Sequence, residues 1–189
     1  MFSEHVTASV NTYYQLYQDL IGIQVLSSLF PGAFVVQPRN IDGAQAYGVE
    51  GELTYRVQNG SLSFWYAYND FEPNQPQQPI RAFLPAKHKV GVTGRVHLPE
   101  GWTLNANYKF VDITRNDPVQ QGQPGGIPVD RQHRLDLSIA KKLLDDRGEI
   151  MVGVMDVFDQ TDVVVGLIGT TVFHETPGRT AYVRFQLKF

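Results

Sequence analysis

Five histidines (His5, His88, His97, His133 and His174) are the residues of this 189-residue chain best suited to metal binding or proton transfer. None sits at the short spacing of a metal-ligand pair, and the chain has no cysteine to supply a thiolate ligand or a thiol nucleophile. His133 follows closely on Asp130, a pairing that would suit a hydrolase, but no nucleophile or oxyanion motif accompanies it. His174-Glu175 could touch a bound ligand; a solvated loop pair is the simpler reading. Glu50 and Glu52 flank Gly51 and so share one face of an extended segment. They resemble a carboxylate pair, although a salt-bridge ladder with Arg56 or a neighbouring strand's cation is the ordinary expectation. Aromatic residues in irregular stretches (Phe30, Phe34, Phe71 and Phe173) could hold an apolar ligand or only pack their loops. The candidates for ligand contact are Phe34, Phe71 and His174; no catalytic residue, metal site or cofactor is expected.

The net charge of −3 gives no basic surface for nucleic acid. No apolar run approaches the ~18–20 residues of a membrane helix, but a barrel strand needs only about 9–11 alternating residues. Aromatics are plentiful, with 9 Tyr, 11 Phe and 2 Trp, enough to furnish interfacial girdles. Met1 is followed by FSEHV, neither a basic start nor an apolar core, so an export signal is expected to lie outside this chain.

The elements that must position these residues are legible as period-two patterns. The clearest is Thr180–Phe189, where Ala181, Val183, Phe185, Leu187 and Phe189 alternate with Thr180, Tyr182, Arg184, Gln186 and Lys188. Similar alternation predicts strands over 4–16, 46–57, 61–71, 88–98, 102–113 and 131–142, and an apolar strand over 148–158 whose facing the pattern leaves open. Asn59-Gly60, Pro99-Glu100-Gly101 and Leu143–Arg147 read as tight turns. The stretches 17–45, 72–86, 115–129 and 159–177 read as long loops, the first with a strand extension near Ile21–Leu26. Tight turns at one end and long loops at the other predict an all-β antiparallel transmembrane β-barrel, about eight strands of it in this chain. One face then meets lipid. The other carries Glu50, Glu52, Arg56, Lys89, Arg95, Lys109, Arg134, Asp136, Arg184 and Lys188 toward a wet or plugged lumen.

Several segments, in order, resemble the carboxy-terminal barrel portion of the TonB-dependent outer-membrane receptors. Val10–Ile21 is similar to a tyrosine-rich strand of that family. Asn40, Ala44, Gly48, Val49 and Glu50 match its Asn-x-x-x-Ala-x-x-x-Gly-Val-Glu strand. Leu84, Pro85, His88 and Lys89 match its Leu-Pro-x-x-Pro-x-His-Lys segment, with Ala86 in place of the second proline. Asp130–Ile139 and Gly153–Asp162 resemble the two penultimate strands, with Asp156 at the usual Asn. The last strand resembles the closing signal, here Tyr182, Val183, Phe185, Leu187 and Phe189, that the barrel-assembly machinery reads.

The resemblance implies a receptor in the bacterial outer membrane for active uptake of a scarce nutrient such as a ferric siderophore. It also implies a 22-stranded barrel of which residues 1–189 are the carboxy-terminal part, without the plug domain and TonB box. The implied partners are outer-membrane lipid, the assembly machinery, a siderophore-type ligand and, through the missing amino-terminal region, the TonB energy-transducing complex. The alternative is a complete small eight-stranded outer-membrane barrel acting as a structural or adhesion module.

Overall fold

The computed structural model describes residues 5–26, 35–40, 43–74, 86–112, 131–144, 147–160, 163–165, 173–175 and 177–188. They form β1 (Val6–Tyr17), β2 (Ile21–Leu26), β3 (Val35–Asn40), β4 (Ala44–Val57), β5 (Gly60–Pro73), β6 (His88–Leu98), β7 (Trp102–Val111), β8 (Gln132–Leu143), β9 (Gly148–Met155), β10 (Val163–Val165), β11 (Phe173–Glu175) and β12 (Thr180–Leu187). Eight of these make one antiparallel sheet in the order β1-β4-β5-β6-β7-β8-β9-β12, while β2–β3 and β10–β11 are separate hairpins within two of the long connections. The strand extension expected near Ile21 is therefore present, as the first arm of β2–β3. Among the described residues β1 and β12 each pair on one side only.

Two of the three tight turns pass through a left-handed backbone. A 3-10 turn at Pro99–Gly101 joins β6 to β7, with Glu100 at φ 60° and Gly101 at φ 75°. Leu144 (φ 55°) turns β8 into β9, and Gln58-Asn59 turns β4 into β5.

Register follows the alternation. Tyr55 lies opposite Leu62, Leu62 opposite Gly94, Gly94 opposite Ala106, Ala106 opposite Leu137, Leu137 opposite Val154 and Val154 opposite Ala181. One face thus carries a continuous apolar band over all these strands. The facing of β9 is resolved as well: Ile150, Val152 and Val154 belong to the band, and Met151, Gly153 and Met155 to the opposite face.

This band is exposed. Leu137 keeps 42% of its surface, Val152 48% and Val183 69%. The buried apolar residues are small (Ala44, Ala46, Ala86 and Ala140). A water-soluble sheet buries such a face against a second layer; apolar patches beyond a few hundred Å² mark an interface. A sheet that turns most of its large aliphatic side chains outward is built for a hydrocarbon solvent.

The opposite face closes its gaps with rings laid across glycines. The space a side chain would need at Gly48 is filled by the Tyr13 ring, at Gly91 by the Trp65 indole and at Gly153 by the Tyr182 ring. In each case ring and glycine are directly opposed residues on neighbouring strands. The aromatic covers backbone that the glycine leaves bare and pins the register.

Candidate functional site

A belt of polar aromatics borders the apolar band at the long-loop end, and Trp102 with Lys141 marks its tight-turn end. At the long-loop end Tyr66 bonds the His88 imidazole Nδ1 (2.8 Å), and Tyr108 bonds His133 Nδ1 (2.8 Å). The Phe110 and His133 rings lie 5.0 Å apart, and the Tyr68 and His88 rings 5.3 Å. Beside them the buried Asp70 carboxylate accepts from Lys87 Nζ (2.6 Å), Tyr68 (3.0 Å) and Tyr47 (3.3 Å) through one oxygen. Tyr14 donates to Gln45, and Gln45 to Glu72. At the tight-turn end the Lys141 ammonium sits 4.9 Å over the Trp102 ring and donates to the Glu100 carbonyl. Amphipathic rings and a lysine with its charge turned to the turn are the side chains that tolerate a membrane–water boundary. Two of the histidines that suggested chemistry are therefore belt residues. His133 pairs with Tyr108; Asp130 lies outside the described residues.

The other face is polar and internally bonded. Thr54 and Ser63 hydroxyls lie 2.9 Å apart, and each donates to Glu52 Oε1 at 3.2 Å. Arg95 donates to Asn105 (2.8 Å), Asn105 to Ser138 (3.2 Å) and Thr93 to Asn107 (2.9 Å). Arg134 pairs with Asp136 and Arg184 with Glu149, both at 3.0 Å. The ladder expected between Glu50, Glu52 and Arg56 is not formed. Arg56 donates weakly to Thr7 (3.5 Å) across the β1 pairing, and Glu52 is taken by hydroxyls. Register decides this: Thr54 lies between Glu52 and Arg56 on this face and is opposite Ser63, so the short side chains reach Glu52 first.

The ligand-contact candidates separate. Phe71 is half-buried on the polar face near the long-loop end, its ring 5.8 Å from Tyr17. His174 lies opposite Val164 in the β10–β11 hairpin. Phe34 lies outside the described residues. Among the closing-signal residues, Val183, Phe185 and Leu187 face outward and Tyr182 faces inward over Gly153; Phe189 lies outside the described residues. No cluster of three or more potential metal ligands occurs among the described residues.

Sequence reasoning missed the turn after β9. Asp156 (φ 52°) and Asp159 (φ 57°) turn the chain out of the sheet along the upper part of β8. Asp136 accepts from the Asp156 amide (2.9 Å), and Leu135 accepts from the Val157 amide (2.8 Å). The Gln160 side chain then continues the ladder, accepting from the His133 amide and donating to the Arg131 carbonyl, both at 2.6 Å. Its only sequence signal is the Asp-Val-Phe-Asp-Gln run, which resembles the family's penultimate strand.

An exposed apolar band between an aromatic belt and the Trp102–Lys141 pair, backed by a polar face, is the layout of a membrane barrel wall. The sequence model of the outer membrane protein beta-barrel family matches residues 1–189. The chain belongs to that family. No curated protein sequence matches it. Three solved structures share the fold over the whole chain. The copper transporter OprC matches at TM-score 0.74 and 15% identity over 29% of its own length. The FrpB iron transporter from Neisseria meningitidis matches at 0.71 and 12% over 30%, and the outer membrane transporter YddB from Escherichia coli at 0.64 and 13% over 31%. The chain thus spans about three tenths of these structures. The expected likeness in fold to the barrel portion of such transporters is borne out, and the protein's place is the bacterial outer membrane. The barrel's long-loop end then faces outside and its tight turns face the periplasm.

Proposed function

We propose that this chain is the carboxy-terminal wall of a TonB-dependent receptor that imports a scarce nutrient such as a ferric siderophore. The observation that carries the reading is an eight-stranded sheet with a lipid-facing band and two edges unpaired among the described residues. Unpaired edges are not tolerated in hydrocarbon, so both edges must be paired, and in this reading further strands flank them. The transporters that share its fold support a larger wall, since the whole chain overlays less than a third of each. A lumen of 22 strands would hold the plug, whose TonB box would draw on the inner-membrane complex. Phe71, Phe34 and His174 would be the candidates for ligand contact in this reading. The closing strand, ending in Phe189, would be the segment read by the assembly machinery.

The test is energised uptake of an iron-55 or copper-64 chelate by cells with and without an intact copy of the protein. Uptake that needs the protein and stops on collapse of the proton-motive force supports the reading; uptake indifferent to the protein overturns it.

The second reading, a small closed barrel, is favoured by the strand number, because eight strands suffice to close. It requires β1 to pair with β12. The chain has no cysteine, so a Asn11→Cys, Arg184→Cys pair, with Gln186→Cys as the alternative register, reports that contact by oxidative cross-linking in outer membranes. A cross-link would establish the small barrel and exclude the receptor.

A further inference from the structure

We propose that the outward face of the wall carries a seat for one anionic lipid of the outer leaflet, with its phosphate at Arg131 and an acyl chain in the cleft between Tyr108 and Phe158. The inference goes beyond the uptake reading and holds whether the wall belongs to a receptor or to a small barrel. It rests on the assignment of the two faces.

The cleft is made where the chain leaves the sheet. β9 ends at Met155, and the left-handed Asp156 and Asp159 carry the chain away while β8 runs on past it to Gln132. Gln160 then fastens the chain to β8 with both ends of its amide, on the His133 N–H and the Arg131 carbonyl. Phe158 stands between these fixings with 53% of its surface exposed. The result is a cleft of about 460 Å³ lined by Tyr108, His133, Phe158 and Gln160, within the size range of sites that hold small molecules. Tyr108 and His133 share a face with Leu135 and Leu137, so the cleft lies on the side of the apolar band. It lies at the level of the aromatic belt, where hydrocarbon gives way to headgroups. A lipid is the molecule that meets this place with a chain below and a headgroup above.

Charge selects the headgroup. One step beyond the Val111–Gln132 pair, Arg131 donates from Nε to Asp112 at 3.2 Å. The acid is the more covered partner, its side chain 26% exposed against 63% for the arginine. With Nε engaged, the two terminal amino groups of the guanidinium remain, a fork that matches a phosphate. His133 adds an imidazole whose Nδ1 is held by Tyr108 and whose Nε2 has no partner among the described residues. The nearby Asp159 carboxylate is tied to the Arg179 amide (2.8 Å) and guanidinium (3.8 Å), so it sets no uncompensated negative charge beside the cleft.

The test uses the full-length protein, stripped of native lipid in detergent and returned to phosphatidylglycerol or phosphatidylcholine of one chain length. Native mass spectrometry counts the lipids retained, with heat-modifiable mobility as the check on folding. The parent should retain one phosphatidylglycerol about fivefold more tightly than phosphatidylcholine, the effect of one basic side chain at an anionic lipid surface. Asp112→Asn, which frees the whole guanidinium, should widen that preference. Arg131→Gln should abolish it, alone or combined with Asp112→Asn, and Phe158→Ala should weaken retention of both lipids alike. Lys89→Gln, at the same height on the opposite face, should behave as the parent does. Any of four results would overturn the proposal: no preference in the parent, an unaltered preference in a folded Arg131→Gln protein, an equal loss in Lys89→Gln, or release of the lipid by inorganic phosphate. The last would make this a site for a soluble anion. Charges placed on either side of β8 test the faces separately, so loss of the preference with the faces upheld would remove this seat alone.

Discussion

Leu137 is the sharpest place to test which face of the sheet meets lipid. It sits mid-strand in β8 with Ala106 and Val154 opposite it on the two neighbouring strands, and 42% of its surface is uncovered. If the band faces hydrocarbon, Leu137→Arg places a guanidinium near the bilayer midplane. That costs about 2–4 kcal/mol, or roughly 30- to 1000-fold in the folding equilibrium. The adjacent Ser138→Arg is the matched control, because the next residue points to the wet side. It forfeits the hydrogen bond from Asn105, about 1 kcal/mol, and its charge stays hydrated. Urea unfolding from phospholipid vesicles, followed by tryptophan emission, measures both variants. Equal losses, or a larger loss for Ser138→Arg, would refute the assignment of the faces and the outer-membrane topology built on it.

Three further outcomes are expected. Gly91→Ala should cost about 1–3 kcal/mol because the new methyl displaces the Trp65 indole, with a shift in tryptophan emission; Gly94→Ala, whose nearest neighbour is Leu62 Cδ1 at 3.9 Å, should be nearly silent, and equal effects would deny the ring-over-glycine packing. Asp156→Asn should stabilise by about 1 kcal/mol, because Asp156 Oδ1 is buried without a partner and φ 52° suits asparagine; a lower urea midpoint would contradict this. Deleting Phe189 should reduce the heat-modifiable barrel recovered from outer membranes, and an undiminished yield would count against its part in the closing signal.

The strands of the large sheet were legible because polar and apolar residues alternate along them, and β4, β6 and β12 show this most plainly. The facing of β9 was not, because Met151 and Met155 line its inner face and blur the alternation. The ring-over-glycine contacts were hidden for another reason. Tyr13 and Gly48, or Trp65 and Gly91, are far apart in sequence, and only register brings them together. Register also redirected the charges, giving Glu52 to Ser63 and Thr54 where composition suggested Arg56. His88 and His133 looked like reagents because sequence does not show that a tyrosine hydroxyl on the next strand will hold each ring.

The distance from the aromatic belt to the Trp102–Lys141 pair has a consequence for where the protein can live. From His88 in the belt to Leu98, opposite Trp102, β6 runs its full length. At about 3.4 Å per residue and a tilt of about 45° the two boundaries stand roughly 24 Å apart along the membrane normal. The bacterial outer membrane is thinner than average, and that separation matches it. In a thicker bilayer the Tyr108–His133 pair and the Lys141 ammonium would be drawn below the headgroups, at a cost on every strand that carries a belt residue. The sheet is thus a ruler, cut to one membrane of the cell, and its length discriminates between compartments without any receptor to read it.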